Sequence, residues 1–280
     1  MPTANTRSAH DVFAALLRVL APYANDVVLI GGWVHALYLT RASALGEPGG
    51  IAVLTDDFDI TIPRYLEADG RPQLIELLTE IGFERDPISD LDGAPVMLRQ
   101  MIDKSLVDLD ILTESSDPRA TVRIEGQVGL HIAGYPGQQI LLENTEWMSV
   151  GVDLHPSLAP PIEIRVPTLP AYVFHKGLSS SQRVNEQKRS KDLVYMVEII
   201  RHGTLGPIAL AGLADIGTRY PAFYVEWKRY LNLVLNDRIL LRMVADQLLL
   251  AGQATGTETQ VVAAVARRIQ RALLDAAGAN

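Results

Sequence analysis

Cysteine is missing from this chain altogether. Disulfides and thiolate metal sites are therefore excluded, and any metal must rest on carboxylates, histidines or backbone oxygens. Long apolar runs are missing too. Val27 to Val34 and Gln247 to Gly252 fall far short of the roughly 20 residues that span a bilayer. The opening Met1-Pro-Thr-Ala-Asn-Thr-Arg7 has no apolar stretch after a basic start, so no signal peptide is expected. These absences predict a cytoplasmic protein with no membrane partner. Basic charge is also in deficit. Net charge is −8 and the pI about 5.3, which argues against a general nucleic-acid coat built from clustered Lys and Arg.

What is present is ordinary globular material. Apolar residues make up 48% and charged residues 21% of 280 positions, enough for one large domain or two modest ones. His10 to Tyr23 has apolar residues at helical spacing and reads as an amphipathic helix. Asp26 to Gly32 reads as a buried strand running into a glycine turn, and Trp33 to Ala42 as a helix. Gly46 to Gly50 is a loop, Phe58 to Ile62 an alternating strand, and Arg71 to Ile81 a helix with Pro72 in its first turn. Val96 to Ile102 and Leu106 to Thr113 are two strands joined by the turn Asp103-Lys104-Ser105.

Between 114 and 167 the chain is rich in Gly and Pro, with weak strands at Thr121 to Ile124, Ser149 to Leu154 and Ile162 to Val166. From Leu169 the period becomes helical, over 168–181, 188–202, 207–217, 221–236, 238–251 and 258–277. The expected fold class is α/β (α+β), with a domain over residues 1–167 and a helical C-terminal domain over 168–280.

The chemistry gathers on aspartates. Asp57 and Asp59 stand two apart in a strand-like segment, so their side chains leave the same face. Two such carboxylates repel unless a cation lies between them, which suits Mg²⁺ shared with substrate phosphates. Asp108 and Asp110 repeat the pattern in Val107-Asp-Leu-Asp-Ile-Leu112. A two-metal site needs three carboxylates converging from adjacent strands. A polar turn or a solvated strand face would show either pair alone; their combination with the strand ending at Gly31-Gly32 is more specific.

The run Ile30-Gly31-Gly32-Trp33, followed by Thr55-Asp-Asp57-Phe-Asp59, resembles the signature of the polymerase-β-like nucleotidyltransferase superfamily. The resemblance implies a mixed sheet flanked by helices, with Gly31 and Gly32 binding nucleotide. It further implies Asp57, Asp59 and Asp110 as metal ligands, with Asp108 as the fallback for the third. Backbone N–H groups at a helix start attract anions, and glycine permits close approach. Within the superfamily the likeness is to the AbiEii/AbiGii and MenT-like toxins of toxin–antitoxin systems. These carry a lysine and a further aspartate downstream, matched here by Lys176 in Pro170-Ala-Tyr-Val-Phe-His-Lys176 and Asp192 in Lys188-Arg-Ser-Lys-Asp192.

By that resemblance Lys176 and Arg183 contact the nucleotide, Asp192 supports the site or orients Lys176, and the helical domain completes the active site. The implied cofactor is Mg²⁺ or Mn²⁺, the substrate an NTP, the acceptor the 3′ end of tRNA, and a further partner a cognate antitoxin. Arg183, Lys188, Arg189 and Lys191 form a basic cluster that could receive triphosphate or an RNA end, or be a solvated loop. His35 and His175 flank the expected site. Trp33 departs from the pattern, since many superfamily members place Ser near the first glycine. A small-molecule nucleotidyltransferase of the aminoglycoside or lincosamide type, and a silent binding module of the same fold, are the competing readings.

Overall fold

The computed structural model describes residues 8–44, 57–67, 69–86, 94–102, 104–118, 120–250 and 258–277. The expected loop at Gly46 to Gly50, Thr55 of the aspartate motif and Asp103 of the hairpin turn lie outside these. Among the described residues, those of Met1–Leu37 with Leu54–Pro167 form one compact unit. Those of Tyr38–Val53 with Thr168–Asn280 form a second. No helix among them is long and apolar enough to cross a membrane.

The first unit is a mixed sheet. Helix α1 (Ala9–Leu20) opens on a capping box, with Ser8 accepting from the Asp11 amide and Asp11 accepting from the Ser8 amide. Strand β1 (Val28–Ile30) is wholly buried, and helix α2 (Gly31–Ala44) starts at once from the glycine. There follow β2 (Phe58–Thr61), α3 (Leu74–Glu80), β3 (Glu84–Arg85), β4 (Leu98–Ile102) and β5 (Ser105–Glu114). The Gly- and Pro-rich stretch folds as β6 (Thr121–Arg123), β7 (His131–Tyr135), α4 (Gln138–Glu143), β8 (Thr145–Val150) and β9 (Ile162–Pro167).

The strand order is β3-β4-β5-β2-β1-β9-β8, with β7 on the far half of β5 and β6 on β7. Strand β2 runs antiparallel to β1 and parallel to β5. An aromatic stack holds the helices on one face: Trp33 lies 4.1 Å from Phe13 and 5.5 Å from Phe58, all nearly parallel. Such pairs add about 0.5–1.5 kcal/mol each beyond their burial. Trp33 is thus a core residue, which accounts for its place in the glycine motif without any contact to phosphate. On the other face α4 lays Leu141 on Val28 and Ile30, with Leu112 of β5 alongside.

The second unit contains α5 (Leu169–Gln182), α6 (Glu186–Arg201), α7 (Leu205–Arg219), α8 (Pro221–Asn236), α9 (Arg238–Leu250) and α10 (Glu258–Ala277). Prolines sit in the first turns of α5 and α8, where no backbone N–H is needed. Gly177 is required by contact, because a Cβ there would stand 2.3 Å from the Trp227 indole nitrogen. That indole stacks on Phe174 and donates to its carbonyl.

Candidate active site

Three residues of the first unit are brought together by backbone register. Ile30, the last residue of β1, is paired with Asp59, and Asp59 is paired with Asp110 of β5. Directly paired residues project to the same face, so the Asp59 and Asp110 carboxylates stand side by side on strands about 4.8 Å apart. Gly31 closes the third side. Its φ is +77°, and a Cβ built on it would meet Asp59 Oδ2 at 1.9 Å. Glycine is needed twice over, for the backbone angle and for the room the carboxylate fills. Asp59 therefore rests against the first turn of α2, where backbone amides favour negative charge.

Asp57 is half-buried, one residue ahead of β2. Extending the β2–β5 register by one residue sets it level with Asp108. Asp108 is otherwise engaged. Arg99 of β4, its partner across the hairpin, donates Nε to Asp108 Oδ1 at 2.9 Å. The same guanidinium is held by the buried Asp86 through Nη1. Asp110 sits squarely opposite Asp59 in the β2–β5 ladder.

Do these residues fit a divalent cation? Among the described residues no group of three acidic or histidine side chains surrounds one point. Two adjacent carboxylates do fit Mg²⁺ as it is commonly bound, through one or two protein carboxylates with phosphates and water completing the shell. Their like charge on neighbouring strands is what such a cation would offset.

The second unit holds the other expected residues. Asp192 of α6 is 2% exposed and takes one cation on each oxygen: Lys176 Nζ at 2.8 Å and Arg183 Nε at 2.7 Å. Burial pushes the Asp192 carboxyl up, but the charges of Lys176 and Arg183 more than reverse this and hold it below the usual value. Lys176 is itself buried, with Nζ 5.7 Å from the Tyr172 ring centre and 5.2 Å from that of Tyr195. Of the basic cluster, Arg183 is bound to Asp192, Arg189 donates to the Arg183 carbonyl and Lys191 lies over Tyr195. Lys188 is exposed. His35 is fully buried in α2.

His175 neighbours this cluster in sequence, and burial, reinforced by the Lys176 charge, depresses its imidazole to about 3 from 6.5. A depressed histidine stays neutral in the folded chain while its unfolded counterpart takes up a proton near pH 6.5. Stability should thus fall as pH drops from about 6.5 towards 3, by at most about 1.4 kcal/mol per pH unit. Urea midpoints taken between about pH 7 and pH 4 should show this decline, and His175→Gln should flatten it. Parallel pH profiles for parent and variant would refute the assignment.

Sequence reading missed Arg99 and Asp86. The signal was available in the hairpin: Ile102 pairs with Ser105, a register one residue tighter than the expected turn allows, and that register sets Arg99 opposite Asp108.

A mixed sheet that sets carboxylates beside a glycine-led helix can hold a cation and an anion side by side. The family model described as Nucleotidyltransferase matches residues 9–204, and the chain belongs to that family of transferases. Among solved structures it is similar to an antigenic nucleotidyltransferase-like protein from Paracoccidioides brasiliensis. That likeness has a TM-score of 0.38 at 15% identity, and covers 77% of this chain and 91% of the other. No curated protein matches.

Proposed function

We propose that this transferase moves a nucleoside monophosphate from an NTP to an acceptor hydroxyl, using Mg²⁺ or Mn²⁺ held by Asp59 and Asp110 with Asp57 beside them. The observation that carries the reading is the alignment of Asp59 with Asp110 in the lap of Gly31. A bound cation supplies neutralising charge at the reacting phosphate and the leaving pyrophosphate. The chain's own residues do the positioning. Asp59 is fixed by two strand ladders and by the close fit to Gly31. The opening amides of α2, at Gly31 and Gly32, offer donors to an anion. Lys176 serves the nucleotide phosphates with help from Arg183, and Asp192 fixes the direction of its Nζ. Rate then comes from orientation and electrostatics, without a covalent intermediate.

For the acceptor we propose the 3′ end of tRNA, as in the toxin-like members the sequence resembles, with a cognate antitoxin as the natural restraint. Incubation with each labelled NTP and total tRNA, alongside a panel of aminoglycosides and lincosamides, tests this. Label should enter RNA at its 3′ end. Label on a drug and never on RNA would replace the acceptor while leaving the transferase in place. Growth arrest on expression, relieved by a protein encoded beside it, is the corresponding result in cells.

A further inference from the structure

Charge is divided unevenly along this chain. Residues 1–167 carry 11 Lys and Arg against 24 Asp and Glu, a net of −13, whereas residues 168–280 carry 14 against 9, a net of +5. In the first part, Arg18, Arg64, Arg71, Arg99 and Arg165 are each bound to backbone carbonyls or carboxylates. In the second, the side chains of Lys228, Arg229, Arg267 and Arg271 make no hydrogen bond or ion pair with any other described residue. All four lie beyond residue 204, where the family match ends.

They are neighbours in space. Helices α8 and α10 lie side by side in opposite directions, tied by Tyr224 Oη to the Leu273 carbonyl at 3.2 Å and by Gln270 to Asn232 at 2.7 Å. Lys228 stands one turn before Asn232, Arg267 one turn before Gln270, and Arg271 one turn after Arg267, spacings that share a helix face. Arg229, Arg267 and Arg271 are exposed and Lys228 half-buried. The only acid of α8, Glu226, is turned to Ser181 of α5.

We infer that this α8–α10 strip is a binding surface for the phosphodiester backbone of RNA. Four unpaired cations flanking two side-chain amides match a ligand with regular fixed charge and many acceptor oxygens. A lipid surface fits less well, because the apolar side of α10 (Val262, Val265, Ile269 and Leu273) is already buried in its own unit. The inference rests on the acceptor reading above in making the bound RNA the one that is modified. The strip lets an acidic protein hold a polyanion that its first unit repels.

The test is RNA binding by the full chain. Labelled total tRNA is titrated by fluorescence anisotropy from about 50 to 200 mM salt, for the parent and for K228Q/R229Q/R267Q/R271Q. The variant should bind at least about tenfold more weakly, and its slope of log affinity against log salt should be shallower by about 3–4. The companion R229K/R267K/R271K, which keeps the charge, should bind as the parent does. A parent-like slope in the glutamine variant overturns the inference, as does equal weakness in the lysine variant. Equal affinity of the parent for polyglutamate or for anionic vesicles also overturns it. The two readings fail separately. RNA held by the strip but never labelled removes the acceptor reading alone; RNA labelled at the parent's KM by the glutamine variant removes this one alone.

Discussion

Asp59→Asn should lower NTP turnover by about 10³-fold, and Asp110→Asn by a similar factor, while Asp108→Asn stays within about threefold of the parent. The difference follows from what each carboxylate touches. Asp59 and Asp110 are paired across the β2–β5 ladder, so removing either charge takes away one of the two carboxylates that face each other across it. Asp108 has its charge committed to Arg99, and Arg99 is anchored in turn by Asp86, which is 4% exposed. Release of pyrophosphate at saturating Mg²⁺ measures the rates. Mn²⁺ binding followed by electron paramagnetic resonance reports the site without turnover, and should weaken in the first two variants only. A dead Asp108→Asn beside an active Asp110→Asn would move the third ligand by two residues and leave Arg99 without its stated role.

Asp192→Ala should cost about 3–5 kcal/mol of stability, because it strands the buried Lys176 ammonium without its counter-charge. For a unit of this size that corresponds to a midpoint lower by roughly 10–20 °C, read from the helical circular dichroism signal. The double variant Lys176→Met/Asp192→Leu should recover most of the loss, since apolar residues replace a buried pair at little cost. If it regains stability yet not activity, the pair serves the reaction; if both return, the pair is structural. The sign of the pH dependence follows from the depressed carboxyl of Asp192. Its contribution is complete above the unfolded carboxylate value near 4 and is lost as pH falls below that through the folded value. An Asp192→Ala midpoint equal to the parent's would show that Lys176 has other compensation.

Much of this organisation was readable in the residues. The helical period after Leu169, the strand before Gly31-Gly32 and the two Asp-x-Asp segments all reflect local pattern and lie close to where they were expected, although the two glycines, read as a turn, are the first residues of α2. The mixed sheet flanked by helices was implied by the resemblance and is what the chain forms. What local pattern did not carry is register. That Asp59 falls opposite Asp110 depends on β2 sitting beside β5, a choice made by the whole sheet. Short elements escaped for a related reason. Strand β3 is two residues long. Helix α4 is six, entered through Gly137 at φ +88°, and its apolar Ile140, Leu141 and Leu142 could equally have been strand. Strand β7 carries Gly134, where a Cβ would press on Ser115 at 2.5 Å, so the glycine that looks like a breaker is a packing requirement. Strand β8 was expected at Ser149 to Leu154 and lies at Thr145–Val150, because its partner β9 ends opposite Thr145.

Strand β2 is short, yet it is an interior strand, bonded along both edges to β1 and β5. A ligand set on an edge strand or loop can loosen while the rest of the molecule stays folded. Here the backbone under Asp59 has no such freedom. Its amide should exchange with deuterated solvent only through openings of the whole sheet, among the slowest in the chain. The geometry of the carboxylates is thus inherited from the most persistent part of the fold, and adaptation to different nucleotides or acceptors falls to elements outside it.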